Sequence, residues 1–584
     1  MYRGRLILKK YRKWFIVASV FLLSIVSLAF SDDLFQIAKN LDIFTSVYKE
    51  VNINYVDDIN SSKMLKSGID AMLEGLDPYT VYVPESEMEE YKLHYVSTQF
   101  GGIGASVFIR DKKIFFAGIL EGFPAFKANI RPGDQLVKIN DVVLEGKSND
   151  EVGVLLKGAK GTSVKLMIKP EGKEQTTQLD LVRDEIIEPN VPYYGMVDGN
   201  MGYIKLDQFL QNSADEVKSA LVDIKKKNPN GIILDLRANG GGILQEAVKI
   251  VNLFVNKDVE VVSQKGKIRE KNVTYKTVAT PIEPNLPLVV LMNGGSASAS
   301  EIVAGSLQDL DRAVIIGQRS YGKGLVQQTF SMPYNSLVKI TIAKYYVPSG
   351  RCIQAMDYTH RKDDGSVVKV ADSLLHEFKT KSGRSVYDGS GIYPDILVKK
   401  ERFSKVTQAI VNKLFVFDYA NYYWKTHPAI DKDARKFSVT DNEYADFVKY
   451  VNGKNFTYTT GYEKLLESFK TEVTKEKQFA DLKPEYEALK AKIASAKNND
   501  LQLHKDEIKR ALEIEIISRY YFDKGKYEVN FKYDKDIAEA VKTMQNKDLV
   551  ASILKGNGQY KIIGKPVLSL KNKKADKDSV SMEN

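Results

Sequence analysis

Residues 288–327 read LVVLMNGGSASASEIVAGSLQDLDRAVIIGQRSYGKGLVQ. Leu288 to Met292 is an unbroken apolar run, the pattern of a strand buried on both faces of a parallel sheet. It stops at Gly294-Gly295; three serines then alternate with alanines, and Glu301-Ile302-Val303-Ala304 opens a helical period. A strand, a tight turn and a helix put a small nucleophile at a helix N-terminus, where backbone N–H groups without intrahelical partners can stabilise an oxyanion. A serine there needs a base. The histidines are His94, His360, His376, His427 and His504, none of them in or beside this stretch, although one could return through the fold. Lys323 stands nearer. It follows a strand expected over Ala313–Gly317 and lies between Gly322 and Gly324, which let the backbone pass close to another element. Its amine is a base near neutral pH only if burial lowers its pKa several units from about 10.4. Gln327 would share its side in a strand or a helix and could orient the amine. Taken singly, the serines also suit helix capping and close packing, and the lysine suits a solvated turn.

Taken together, the S-A-S-A-S-E and G-K-G stretches resemble the carboxy-terminal processing peptidases, serine proteases with a Ser/Lys dyad. The resemblance implies Ser298 as nucleophile, Lys323 as base at the family's spacing, and Gln327 as support for the lysine. Upstream, the pattern is β/α: a strand over Met201–Leu206, a helix over Ser213–Lys226 capped by Ser213, a buried strand over Gly231–Arg237, and a helix over Leu244–Phe254. Such alternation argues for a parallel sheet whose sites gather where strands end. One strand ends in Asp235-Leu236-Arg237-Ala238-Asn239-Gly240-Gly241-Gly242, similar to the family's D-L-R-x-N-x-G-G, with glycine at 240 where proline is often expected. The resemblance implies an oxyanion hole made by the amide of Ala299 and one from this loop, Gly242 or else Gly241. A glycine turn without catalytic duty is the other reading, although consecutive glycines cost chain entropy unless backbone must come close to something. Gly391-Ile392-Tyr393-Pro394-Asp395 matches a further family segment.

Residues 98–183 have short strands at Ile114–Ala117, Gln135–Ile139 and Val164–Ile168, with a helix over Asn149–Lys157. The glycine-rich run Gln99–Val107 could cradle a phosphate, but no lysine-threonine pair or following helix completes a P-loop. The order resembles a PDZ domain in the permuted form that these peptidases carry. That implies a carboxylate received by amides around Gly102, Ile103 and Gly104, a peptide strand added along Gly104–Phe108 beginning at Ala105, and an apolar wall of Val152, Leu155 and Leu156. Those helix residues suit a plain core equally well. Gly75-Leu76-Asp77-Pro78-Tyr79-Thr80-Val81-Tyr82-Val83-Pro84 reads as a proline-punctuated turn after a helical lead-in, and its first six residues are similar to the family segment that precedes this domain.

The chain has 584 residues, 43% hydrophobic and 27% charged, which suits a folded protein of roughly three or four domains. Its formal charge of +10 mixes both signs, and no nucleic-acid module is present. The single Cys352 excludes an internal disulfide. Basic residues 3–13 precede the uncharged run Trp14–Phe30, the pattern of an export signal or a short membrane anchor with its positive flank inside. The expectation is a multidomain α/β protein. It comprises a signal or anchor over 1–31, a helical segment over 32–97, a PDZ domain over 98–183 and a crotonase-like β/α peptidase core over 184–400. A mostly helical extension over 401–570 and a disordered charged tail over 571–584 follow. The expected function is endopeptidase action on C-terminal tails of exported proteins in the periplasm or at the membrane, as a monomer or homo-oligomer, with no metal or organic cofactor. The alternatives are an idle PDZ scaffold and a crotonase-like acyl-CoA enzyme.

Overall fold

The computed structural model describes residues 34–88, 91–92, 99–362, 365–370 and 375–556; the expected signal or anchor, Thr98 and the charged tail lie outside them. The chain divides into two compact units, Met1–Ser86 with Gln328–Ile340, and Glu87–Gln327 with Thr341–Asn584. In the first, helix α1 (34–54) and helix α2 (Ser61–Glu74) precede strand β1 (Val81–Val83). The stretch read as a turn after α2 is a turn only at its start, where Asp77 Oδ1 accepts the N–H groups of Tyr79 and Thr80. The β-branched residues that follow then pair antiparallel with Leu337–Lys339.

The second unit begins with a small antiparallel domain. Strands β2 (Gln99–Gly102), β3 (Ala105–Arg110), β4 (Lys113–Ile119) and β5 (Gln135–Ile139) lead to helix α3 (Asn149–Leu156), then β6 (Ser163–Lys169), β7 (Thr177–Val182) and β8 (Asp184–Ile187). The main sheet runs β3-β4-β5-β6-β7, and β2 pairs with β8. The glycine-rich run is therefore a strand at Gln99–Gly102 before it turns at Gly104 (φ +72).

The central sheet contains β9 (Tyr193–Val197), β10 (Met201–Lys205), β11 (Gly231–Asp235), β12 (Leu288–Met292), β13 (Val314–Gly317) and β14 (Ile396–Leu397), in that order. Only β9–β10 is antiparallel. Because side chains alternate across a strand, Ile232, Leu234, Val290, Met292 and Ile315 enter one core with helices α4 (Ser213–Lys225), α5 (Leu244–Asn252) and α6 (Ala299–Asp309). Ile233, Val289, Leu291, Val314 and Ile316 enter a second core on the other face. Continuous apolar runs are what a sheet covered on both faces requires. The expected cap of α4 differs: Asn212 occupies the cap position at φ 67, and the Ser213 hydroxyl donates to Glu246 Oε2 instead.

Two further strands, β15 (Leu325–Met332) and β16 (Ser336–Tyr346), follow the lysine loop. The polar stretch 356–389 contains the short strand pairs Met356–Arg361 with Val367–Lys369 and Glu377–Lys379 with Ser385–Tyr387.

The C-terminal extension contains α7 (Lys405–Asn412), α8 (Phe415–Thr426), α9 (Asp441–Asn452), α10 (Gly461–Lys475), α11 (Phe479–Lys497), α12 (Lys505–Asn530), α13 (Lys535–Gln545) and α14 (Lys547–Leu554). The stretches 402–425 and 463–495, each helical in period throughout, are interrupted at Leu414 (φ 63) and Lys477 (φ 61). Residues from α7, α8, α9 and α12 build a separate core around Tyr419, Phe447, Leu512 and Ile516. Helices α13 and α14 place Ile537, Ala540, Met544 and Ile553 on the second face of the central sheet, so the extension completes the peptidase core.

Candidate active site

Ser298 sits between β12 and α6 with φ 54 and ψ −113, half-buried. A positive φ at a non-glycine residue costs on the order of 1–3 kcal/mol and persists only when its surroundings enforce it. The flanking serines do so. Ser296 Oγ accepts the Asn293 N–H (3.0 Å) and donates to the Leu236 carbonyl (2.8 Å), and Ser300 Oγ donates to the Asn239 carbonyl (2.9 Å). Both serines are fully buried. The Ala297 N–H also donates to the Asn239 carbonyl at 3.0 Å, and Asn293 Oδ1 accepts the Ala238 N–H at 3.0 Å. The serine turn and the glycine loop after β11 are thus one hydrogen-bonded body.

Gly241 (φ +98) lies at their contact: a Cβ there would stand 2.7 Å from the Ala297 carbonyl, 2.8 Å from Ser298 Cβ and 2.9 Å from the Ala299 nitrogen. Its N–H is bound to Asn239 Oδ1 at 2.9 Å. Gly242 (φ +148) lies against the backbone of Phe209, where a Cβ would approach the carbonyl oxygen to 2.4 Å. Ala299 is the first residue of α6 and is buried.

Lys323 is half-buried in the loop between β13 and β15. Its flanking glycines bring that loop against Gln354 and Ala355. The Ala355 N–H donates to the Gly322 carbonyl (2.9 Å), and the Gly324 N–H donates to Gln354 Oε1 (2.7 Å). Gln327 lies on β15 and donates through Nε2 to Thr341 Oγ1 at 3.2 Å. The four histidines among the described residues are engaged elsewhere: His360 with Asp357, His376 with Asp388, His427 stacked on Tyr423 and His504 beside Glu507.

Two buried side chains tie the serine and lysine segments together. Glu301, fully buried, accepts the N–H groups of Ser298 and Lys323 on Oε2, both at 2.9 Å, and the Gly322 N–H on Oε1 at 2.7 Å. The Ser320 hydroxyl donates to the same Oε1 at 2.5 Å. Burial lifts the Glu301 carboxyl to about 7, against the downward pull of these hydrogen bonds. The Tyr345 hydroxyl reaches the carbonyls of Lys323 (2.6 Å) and Ser298 (3.1 Å).

Comparison with known proteins assigns this architecture. The profile of "Peptidase family S41" matches residues 200–360, that of the "PDZ domain" residues 95–169, and that of "Probable PDZ-protease, C-terminal helical domain" residues 406–544. The carboxy-terminal-processing protease of Bartonella bacilliformis is 34% identical over 325 residues, which cover 55% of this chain and 74% of that protein. The carboxy-terminal processing protease CtpA of Bacillus subtilis is 32% identical over 372 residues, covering 59% and 78%. A Staphylococcus haemolyticus protein named "Probable CtpA-like serine protease" is 36% identical over 308 residues, covering 52% and 61%.

The chain belongs to the carboxy-terminal processing proteases of peptidase family S41. It is a serine-type peptidase with a PDZ domain and a helical C-terminal region. Within the PDZ domain of this S41 peptidase, a cavity of about 450 Å³ runs between β3 and α3, lined by Gly102, Ile103, Gly104 and Ala105 on one side and Asn149, Gly153 and Leu156 on the other. The Ile103 carbonyl accepts the Ala125 N–H, and the Gly104 carbonyl accepts the Leu120 N–H, which fixes the loop at the cavity's end. The sequence-based wall needs correcting in part. Val152 is fully buried in the domain core and Leu155 packs against that core, so of the three apolar helix residues only Leu156 borders the cavity. On a helix the residues that face a core and those that flank a groove are adjacent in the same period. Glu301 was visible in the serine motif but without a role, and nothing in the sequence pointed to Tyr345.

Proposed function

We propose that this S41 peptidase is an endopeptidase that takes exported proteins by their C-terminal tails and cleaves them with Ser298 as nucleophile and Lys323 as base. The observation that carries the reading is the shared oxygen of Glu301, which receives the backbone N–H of both residues at 2.9 Å. A strained serine at a helix start, anchored on the same buried atom as a half-buried lysine, is the arrangement that Ser/Lys chemistry needs.

In this reading Ser298 Oγ attacks the scissile carbonyl carbon and passes its proton to the neutral Lys323 amine. The carbonyl oxygen becomes an oxyanion held by the N–H groups of Gly242 and Ala299. The Gly241 N–H is taken by Asn239 Oδ1, which favours Gly242 as the loop donor. When the C–N bond breaks, the Lys323 ammonium returns its proton to the leaving amine. Water then attacks the acyl carbon while Lys323 takes its proton, and the ammonium gives that proton to Ser298 Oγ as the acyl–oxygen bond breaks, which restores the free enzyme. Gln327 supports the lysine strand from β15. Neither metal nor organic cofactor takes part.

The PDZ cavity receives the substrate's tail. Amides around Gly102–Gly104 hold its carboxylate, an extended segment adds to β3 from Ala105 onward, and Leu156 contacts an apolar side chain. Residues 14–30 direct the chain out of the cytoplasm, either as a cleaved signal or as an anchor touching the membrane, so that the enzyme works in the cell envelope. The exposed apolar residues of α1, among them Leu34, Leu41 and Phe44, favour a homo-oligomer.

Purified protein incubated with an unfolded substrate and with a fluorophosphonate probe tests the chemistry. Wild type hydrolyses the substrate and is labelled, whereas Ser298→Ala and Lys323→Ala lose at least about a thousandfold in rate. A Ser298→Ala protein as active as wild type would end the reading.

A further inference from the structure

Arg237 lies two residues past β11, at the entry to the glycine loop, and its guanidinium is held by three carboxylates. Nε binds Asp235 Oδ1 (3.0 Å), and Nη2 binds Asp235 Oδ2 (2.6 Å). The remaining contacts come from the C-terminal extension. Nη1 donates to Asp534 Oδ1 (2.9 Å) and Asp536 Oδ2 (2.8 Å), and Nη2 donates to Asp534 Oδ2 (2.9 Å). Asp534 is buried, and it caps α13 by accepting the N–H groups of Asp536 and Ile537 at 3.1 Å. Asp536 Oδ1 accepts Gln318 Nε2 (3.4 Å), just past β13. The Arg237 carbonyl accepts Lys205 Nζ at 2.8 Å.

The residue after this node, Ala238, has φ +60, a left-handed conformation that disfavours any side chain. Its N–H is pinned to Asn293 Oδ1. The loop from Ala238 to Gly242 therefore has two anchors. Main-chain bonds to the serine turn hold one side, and Arg237 holds the other. Docking of α13 and α14 does not need this charge cluster, since Ile537, Ala540, Met544 and Ile553 already bury their apolar faces on the sheet. A guanidinium that is only 16% exposed and faces three carboxylates is costly to assemble, and its geometric payoff is a fixed direction for the chain that leaves Arg237.

We propose that Asp534 and Asp536 are positioning residues of the peptidase reaction, which through Arg237 set the backbone of the oxyanion loop at Ala238–Gly242. The proposal rests on the reading of Gly242 as an oxyanion donor. It gives the C-terminal extension a share in catalysis, although neither aspartate touches substrate. Small displacements of such donors are expensive, because the loop must meet the developing charge without reorganising.

Asp534→Asn and Asp536→Asn in the full-length protein test it; asparagine at 534 keeps a good helix cap. The readouts are kcat and KM on a fluorogenic peptide, the melting temperature, and the fraction of Ser298 titrated by a fluorophosphonate. The expected result is a fall in kcat of about tenfold for each variant. It should be larger for the double variant, with KM within about twofold, a melting temperature that falls but stays above the assay temperature, and full titration, and Asp536→Glu should recover part of the loss. Wild-type kcat in the double variant would overturn the proposal, as would a loss that merely tracks the titratable fraction. Failure of the serine reading itself is separable, because wild type would then resist the probe and Ser298→Ala would stay active.

Discussion

The Lys323 N–H donates to Glu301 Oε2 at 2.9 Å across 22 positions of sequence. The carboxylate that receives it also receives three other donors, so its two oxygens have a use for every lone pair only when ionised. Glu301→Gln turns one oxygen into an amide NH2, a donor that faces N–H or O–H donors. The expected outcome is a loss of roughly a hundredfold in kcat/KM, with a lowered melting temperature, measured on an unfolded substrate.

The same carboxyl predicts a pH dependence. Burial raises Glu301 from 4.5 to about 7 in the folded state. A raised carboxyl favours the neutral folded form, so its contribution to stability is complete below the unfolded value of 4.5 and disappears as pH rises through about 7. The difference amounts to about 3 kcal/mol. Activity should run the opposite way, rising through about pH 7 as the carboxylate forms. Melting temperatures from pH 5 to 8 should fall in wild type relative to Glu301→Gln, while wild-type kcat climbs; a flat difference in melting would refute the assignment.

Tyr345 is buried and its hydroxyl spans the carbonyls of Ser298 and Lys323. Tyr345→Phe removes those bonds without changing the ring's volume. The hydroxyl's one hydrogen is shared between the two carbonyls, and losing it costs about 1 kcal/mol net, so kcat should fall roughly fivefold with KM nearly constant. Equal changes in both constants would show that the tyrosine acts on substrate binding instead.

Gly241→Ala introduces a methyl group 2.8 Å from Ser298 Cβ at a φ of +98, where neither the backbone nor its neighbour has room. Fluorophosphonate labelling of Ser298 should be lost along with hydrolysis, and the melting temperature should drop by several degrees.

Gly153 borders the PDZ cavity, and a Cβ added there meets nothing within 4 Å. Gly153→Leu should fill the groove from the side of α3. The expected result is a KM for tailed substrates raised about tenfold or more, with a melting temperature equal to or above wild type, because glycine inside a helix costs roughly 0.5–1 kcal/mol.

Much of this architecture was legible because local patterns are strong where burial is two-sided. Leu288–Met292 and Gly231–Arg237 read as buried strands, and both lie in the centre of the sheet, the second ending two residues earlier at Asp235. The helix starting beside Ser298 was equally visible in its period. The breaks at Leu414 and Lys477 were not, since neither residue signals a positive φ and tertiary contacts impose it. Val152 and Leu156 could not be told apart either, because one helical stripe serves both the core and the groove rim.

Which side chains are available for chemistry, and which strands are buried, is written in short stretches of the chain, because nucleophile, lysine, glycines and apolar runs are local properties. What holds them in place arises from contacts between distant segments. Glu301, Tyr345 and the Arg237–Asp534 pair act across 22, 47 and 297 positions. A hydrogen bond between residues that distant exists only once the sheet has closed and its helices have packed.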